Sequence, residues 1–178
     1  MDYTKLEAAL TKTTTRTDLH QAIVNVPFEQ KLEAAMMFLG IVVLLVVDKQ
    51  AGTINRVALS NTELAKNTTS VSVKEFSQIK IPVGHPKNII AQAIVTGKPQ
   101  ETTDWANLFA PELTPDEARV NQASGGIAYS AVYPLPGICD GAAMIFSYYQ
   151  YAHEIGDTQH TFMDHYSKLA AQALSQVG

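Results

Sequence analysis

The sequence predicts an α+β domain built on one central antiparallel sheet of five or six strands. The first observation is the run Ile41–Val47, in which every residue is apolar. Such a run is typical of a strand buried on both faces, so it should lie in the middle of its sheet. The second is a pair of strand-like runs, Ile127–Tyr133 and Ala142–Tyr149, joined by the turn sequence Pro134–Gly137. A helical pattern at each end of the chain completes the arrangement.

The N-terminal segment is helical in pattern but uneven. Leu6–Leu10 and Leu19–Ile23 each begin and end with an apolar residue on one helical face. Between them lies Thr11–Thr17, whose β-branched residues and hydroxyl groups favour a helix poorly. We therefore divide the chain into an N-terminal helical arm, residues 1–18, and a domain that spans residues 19–178.

The middle of the chain is predicted to contain short strands, turns and short helices. Ala51–Gly52 indicates a hairpin turn from the buried run into a second strand near Ile54–Ser60. Asn61–Thr69 is polar and is expected to be a loop with at most one helical turn. Thr114–Glu117 combines a capping threonine, a proline at the first helical position and a glutamate three residues after the threonine, so it marks the start of a short helix.

The clearest helix is C-terminal. Asp157 or Thr158 is expected to cap it, and its apolar residues recur at spacings of three and four, which predicts one buried face. These residues are Phe162, Tyr166, Leu169, Ala173 and Val177.

Composition narrows the classes of function. With 46% hydrophobic and 17% charged residues among 178, the chain has enough apolar residues for a substantial core. The net charge of −4 leaves no basic patch, which argues against nucleic acid as a partner. We expect a cytoplasmic protein with no membrane partner, because neither a signal peptide nor a membrane-spanning stretch is visible. The single cysteine, Cys139, excludes an intramolecular disulfide and fits a reducing compartment.

An ordered set of short motifs follows the second strand. Ile79–Gly84 indicates a short strand that ends at Pro-x-Gly, and Ile89–Thr96 a small helix closed by glycine. A further short strand leads to Asp104, and Tyr133–Gly137 carries a Pro-Leu-Pro turn later in the chain. In this order the motifs resemble a GAF domain, a sensory fold that binds small molecules. The resemblance covers most of the chain.

The resemblance implies that the terminal helices lie together on one face of the sheet and that a ligand sits on the other face, under connecting loops. It implies a sensory or regulatory module for signal transduction, which binds a small molecule without catalysis and signals through its terminal helices. Apolar residues on both terminal helices also predict a homodimer. Two departures from the family pattern, His85–Lys87 and Tyr148–Tyr149, lie near the region that lines the pocket in the family.

The predicted pocket residues are polar or aromatic. We predict that all candidates except Arg56 and Gln92 bind the ligand. Trp105 directly follows the motif aspartate, in a loop that carries further apolar residues and should therefore not lie open to solvent. We expect this loop to cover a cavity, with Trp105 in its wall and His85, Asn88 and Tyr129 among its polar groups. The candidates are Arg56, His85, Asn88, Gln92, Asp104, Trp105, Tyr129 and Tyr133.

Two other functions remain open. The small residues Ala170, Ala171 and Ala173 on the last helix favour a ligand-free dimerisation or scaffold module. Some proteins with this resemblance reduce free methionine sulfoxide, which requires one reactive cysteine and a second to resolve the sulfenic acid. The single cysteine argues against such an enzyme, and no catalytic residue is predicted.

No metal site or cofactor is predicted. His160 and Asp164 lie four residues apart on the last helix, but no third ligand has suitable spacing. The sequence contains no glycine-rich phosphate loop. Cys139 also lacks the following histidine that is usual where members of the family attach a bilin chromophore.

Overall fold

The computed structural model describes residues 1–13, 15–149 and 155–176. In these ranges six strands form one antiparallel sheet in the order β3-β2-β1-β6-β5-β4. The predicted α+β class and the central antiparallel sheet are therefore confirmed. The strands are β1 (Leu39–Asp48), β2 (Thr53–Leu59), β3 (Lys80–Pro82), β4 (Gln100–Thr102), β5 (Ile127–Pro134) and β6 (Ala142–Tyr149).

Strand β1 occupies the centre of the sheet, as its uninterrupted apolar sequence predicts. It pairs with β2 on one side and with β6 on the other. Leu44 and Leu45 are both fully buried although they belong to opposite faces of the sheet. Each face is covered by helices, so neither side of this strand tolerates polar residues.

Helices cover both faces of the sheet. A short 3-10 helix, Phe76–Gln78, lies between α4 and β3. The α-helices are α1 (Tyr3–Leu10), α2 (Arg16–Glu29), α3 (Lys31–Met36), α4 (Glu63–Val71), α5 (Ile89–Thr96), α6 (Ala106–Phe109), α7 (Pro115–Ser124) and α8 (Asp157–Gln176).

The terminal helices α1, α2 and α8 pack together on one face of the sheet. The hydroxyl of Tyr166 on α8 donates a hydrogen bond of 2.8 Å to the carbonyl of Ile23 on α2. Phe146 on β6 lies edge-on to both Phe162 and Tyr166, with ring centroids 5.7 and 6.5 Å apart. The expected placement of the terminal helices is therefore observed. Val177, the last residue of the predicted apolar stripe, lies outside the described residues.

The opposite face carries α4, α5, α6 and α7, together with the segment 72–79. Thr114 caps α7 as predicted: its hydroxyl accepts the N–H of Glu117, whose carboxylate in turn accepts the N–H of Thr114. None of the helices in the described ranges combines the length and the apolar character that crossing a bilayer requires.

The prediction of a loop at Asn61–Thr69 is wrong, because α4 spans most of this segment. Thr62 caps the helix by accepting the N–H of Ala65 at 3.2 Å. Ala65 and Thr68 form the buried face of this helix, and the Thr68 methyl group approaches Gly125 at the end of α7. Tertiary packing therefore stabilises a segment whose hydroxyl-rich sequence favours a helix poorly.

Candidate functional site

A partly enclosed cavity lies between the sheet and the helices of the face opposite the terminal helices. Its volume is about 40 Å³, enough for about three water molecules. Strands β1, β2 and β6 form its floor, and α4, the segment 72–79, α6 and α7 form its walls. The lining residues are mostly apolar, among them Ile41, Val43, Leu108, Phe109 and Ile145.

Trp105 forms part of the cavity wall and is only 4% exposed. Its backbone N–H donates to the side-chain oxygen of Gln122 on α7, at 2.9 Å. Its indole N–H donates to the hydroxyl of Ser130 on β5, at 2.8 Å. Hydrogen bonds at both the backbone and the ring therefore hold this loop tryptophan over the sheet.

Asp104 supports this loop from outside the cavity. Its carboxylate accepts the N–H of Ala106 at 3.0 Å and pairs with Arg119 on α7 at 2.8 Å. The hydrogen bond from Arg119, aided by that from the Ala106 backbone, holds the pKa of Asp104 below its ordinary value. Asp104 thus fixes the start of α6 rather than lining the cavity.

A chain of buried hydroxyl groups extends from the tryptophan to the cavity floor. The Ser130 hydroxyl lies 2.8 Å from that of Ser147 on β6, and Ser147 lines the cavity. If Ser130 accepts from Trp105 and donates to Ser147, the Ser147 hydroxyl hydrogen remains available to a molecule in the cavity.

Arg56 on β2 brings a positive charge into the cavity. Its side chain is 9% exposed, and its guanidinium lies over the ring of Phe109, 4.1 Å from the centroid. Desolvation by burial lowers the pKa of Arg56 to about 9. Its Nε and Nη2 atoms are buried and make no hydrogen bond to any residue of the described ranges.

The other polar groups around the cavity have partners. Lys74 pairs with Glu112 at 2.9 Å, so its charge is balanced locally. The Asn121 amide donates to the Ser72 hydroxyl at 3.1 Å, and Thr68 donates to a backbone carbonyl of its own helix.

The structure places Asn88 outside the cavity although it is fully buried. Its side-chain oxygen accepts the N–H groups of Ile90 and Ala91 and so caps α5. Its amide donates to the carbonyls of Leu108 and Ala110 at 2.9 and 2.6 Å. These four bonds tie α5 to the end of α6 and use the hydrogen-bonding capacity expected for a ligand contact.

Tyr129 and Tyr133 also lie away from the cavity, because residues of one strand alternate between the two faces of the sheet. They share a face with α8, whereas Ser130 between them faces the cavity side. The Tyr133 hydroxyl lies 3.1 Å from Nδ1 of His160, and Tyr129 donates to Glu101. Burial is the largest factor that raises the pKa of both tyrosines.

His85 and Gln92 do not line the cavity either. His85 is half-buried in the turn after β3, and its Nδ1 has no partner in the described part of the chain. Gln92 donates to the carbonyl of Pro86 at 2.6 Å. Of the six predicted ligand residues, the structure therefore brings only Trp105 to the cavity.

Sequence reasoning did not select Ser130 and Ser147, and it left Arg56 among the lesser candidates. The alternation of side chains along a strand could have identified Ser130. It shares one face of β5 with Val132, whereas Tyr129 and Tyr133 lie on the other face. Arg56 is the one charged residue of β2, and β2 was predicted to pair with the buried strand β1. A charge in such a strand is unusual and could have identified Arg56. In the described ranges no three His, Cys, Asp or Glu side chains gather as metal ligands would.

No family model and no curated protein matches this sequence. Solved structures do match, at low identity. The GAF domain of a phosphoenolpyruvate-protein phosphotransferase from Coxiella burnetii is 10% identical with a TM-score of 0.67, covering 97% of this chain and 90% of that one. A GAF domain/HD domain protein from Geobacter sulfurreducens is 12% identical with a TM-score of 0.60, covering 96% and 97%.

A third similar structure is an enzyme. Free methionine-R-sulfoxide reductase from Neisseria meningitidis, in complex with its substrate, is 11% identical with a TM-score of 0.60, covering 97% of this chain and 85% of that one. At identities this low, the similarity shows the fold alone. The sheet order, the shared face of the terminal helices and these matches together establish that the chain has the GAF fold.

Proposed function

We propose that this protein is a sensory or regulatory module that binds a small molecule in the cavity beneath α4 and α6. The observation that carries the proposal is a partly enclosed, mostly apolar cavity, lined by a buried cation without an ion-pair partner in the described ranges and by a tryptophan. Pockets of this kind, in which a few polar groups converge among apolar walls, are typical of small-molecule sites.

The sheet offers a short route from the cavity to the terminal helices. Ser147 lines the cavity, whereas its neighbours Phe146 and Tyr148 pack in the core beneath the terminal helices. A ligand that binds one arrangement of β6 better than another shifts the population toward it. Since Phe146 contacts α8, such a shift would change the packing of that helix.

The test combines binding with a readout at the helices. A library of neutral, cationic and anionic small molecules is screened by the emission of Trp105, the only tryptophan. We expect compounds that change this emission also to slow amide hydrogen exchange in α2 and α8, because a ligand stabilises the state to which it binds.

A matched variant controls for binding elsewhere. Thr68 lines the cavity from α4, so Thr68→Met is expected to fill part of the space and weaken every true ligand. Compounds that bind this variant as well as the parent would contradict the proposed site. Binding without any change of exchange in α8 would contradict the signalling step.

The reductase alternative has less support. Cys139 is exposed in the turn between β5 and β6 and is not among the residues that line the cavity. It is also the only cysteine of the sequence, so a sulfenic acid formed there has no second thiol to resolve it within the chain. We therefore propose a non-catalytic role.

Dimerisation is part of the proposal, but on residues other than the apolar residues of the two terminal helices that the sequence suggests, such as Leu6, Leu10 and Leu174. Leu6 and Leu10 are 1% and 2% exposed, so the protomer's own core already uses them. Leu32 and Met36, one turn apart on α3, are instead 70% and 71% exposed. We propose that this apolar pair, next to the terminal helices, contributes to a homodimer contact.

Light scattering tests this contact. The parent protein is expected to give the mass of a dimer, and the double variant Leu32→Ser/Met36→Ser the mass of a monomer. Val95→Ser removes a comparably exposed valine from α5 on the other side of the sheet and should leave the mass unchanged. A monomeric parent at high micromolar concentration would rule out the dimer.

A further inference from the structure

Arg56 carries a charge that the described residues do not balance. It stands in the middle of β2, opposite Leu45 of the central strand, and is 9% exposed. Its Nε and Nη2 atoms donate to no residue of the described ranges, and no carboxylate in those ranges forms an ion pair with it. An isolated buried charge is costly, so such a group is normally paired.

Stacking on Phe109 compensates only part of this cost. The guanidinium carbon lies 4.1 Å from the centroid of the Phe109 ring, which is favourable for a cation on the ring face. The N–H groups point outward in the plane of the guanidinium, so a ring on its face satisfies none of them. Arg56 remains protonated at neutral pH, since burial lowers its pKa only to about 9.

The two unsatisfied nitrogens lie on the same edge of the guanidinium. Nε–H and the adjacent Nη2–H point in parallel directions. Two parallel donors of this kind can each donate to one of the two oxygens of a single carboxylate. Arg56 is one of the residues that line the cavity, and both of these donors are buried and make no hydrogen bond within the described ranges.

Charge and shape restrict the anion further. Lys74, the other cation of the lining, is already paired with Glu112, so one positive charge is left for the ligand. Arg56 would balance only one of the two negative charges of a dianion, and the other would be buried without a partner among apolar side chains. The cavity of about 40 Å³ and its aliphatic side chains leave room for only a short apolar body.

We propose that the cavity binds a small monocarboxylate, with its two oxygens on Nε and Nη2 of Arg56 and a short alkyl group against the aliphatic walls. This inference rests on the proposed ligand-binding function and specifies the class of its ligand.

Titration calorimetry and Trp105 emission test the class directly, at constant ionic strength. The probes are acetate, propionate and butyrate, with propionamide as the neutral equivalent of propionate, nitrate as a planar monoanion without an alkyl group, and inorganic phosphate. We expect carboxylates to bind with dissociation constants below about 10 mM. Propionate should bind more tightly than nitrate, and propionamide and phosphate should not bind.

Variants of Arg56 identify the anchoring group. Arg56→Leu should weaken propionate at least about 30-fold, while the melting temperature of the ligand-free protein stays the same or rises because a buried unpaired charge is removed. Arg56→Lys keeps the charge but loses the parallel donors, so it should bind propionate with intermediate affinity. Arg16→Leu, an exposed arginine on α2, is the matched control and should bind like the parent.

Several results would overturn the inference. These are the failure of all three carboxylates to bind at about 10 mM, tighter binding of phosphate than of propionate, and equal carboxylate affinity in Arg56→Leu and the parent. If Arg56→Leu does not fold, equal propionate affinity of Arg56→Lys and the parent would also overturn the inference. A neutral compound that changes Trp105 emission and slows exchange in α8 would keep the sensory function while refuting the carboxylate.

Discussion

Replacing Leu44 by aspartate is expected to unfold the protein. Leu44 is fully buried in the central strand β1, between Ala58 on β2 and Met144 on β6, and faces the core beneath the terminal helices. A carboxylate at this position would be buried without a partner, which should lower the free energy of unfolding by at least about 4 kcal/mol. Urea denaturation followed by circular dichroism measures the change.

Two other substitutions control this result. Val57→Asp introduces the same charge on β2, at an exposed position, and should cost less than about 1 kcal/mol. Leu45→Asp is equally buried but lies directly opposite Arg56, so its carboxylate has a cation within reach. We expect Leu45→Asp to cost clearly less than Leu44→Asp. A Leu44→Asp protein that unfolds cooperatively with parental stability would contradict the central position of this strand.

The sheet could be predicted from the sequence because its strongest strands carry unambiguous patterns. β1 is apolar throughout, and β6 was predicted with the boundaries that the structure shows, Ala142–Tyr149. Helix α7 was predicted from its capping residues, since the capping box is a local interaction that does not depend on the rest of the fold. Helix α4 was missed because its stability comes from packing against α7, a contact between residues distant in sequence.

The site was less predictable because residue type does not reveal which face of a strand a residue occupies. By residue type, Tyr129 and Tyr133 are better candidates for ligand contacts than Ser130. In the structure, however, the two tyrosines lie on the face of β5 that packs against α8, and Ser130 lies on the face that contacts Trp105. Asn88 appeared free to bind a ligand, whereas the fold uses all four of its hydrogen bonds to fix α5 and α6. Such roles depend on which elements meet in space.

Trp105→Ala is expected to produce the second large effect. Trp105 is 4% exposed, and its ring centroid lies 5.5 Å from that of Phe109. Its indole N–H donates to the hydroxyl of Ser130. Truncation should lower the free energy of unfolding by about 3–5 kcal/mol, because it removes a large buried side chain and leaves a void next to the existing cavity. Circular dichroism in urea is the suitable measurement, since the variant has no tryptophan.

Trp105→Phe separates the ring from its hydrogen bond. It retains most of the buried volume but leaves the Ser130 hydroxyl without the indole donor, so its cost should be about 1 kcal/mol. Added indole provides a third comparison: it should raise the melting temperature of Trp105→Ala by occupying the void and should not stabilise the parent through that site. A Trp105→Ala protein that loses less than about 1 kcal/mol and does not respond to indole would show that Trp105 does not form the wall. The cavity beneath α6 would then have to be closed by Leu108 and Phe109 alone, and ligand binding could no longer be read from tryptophan emission.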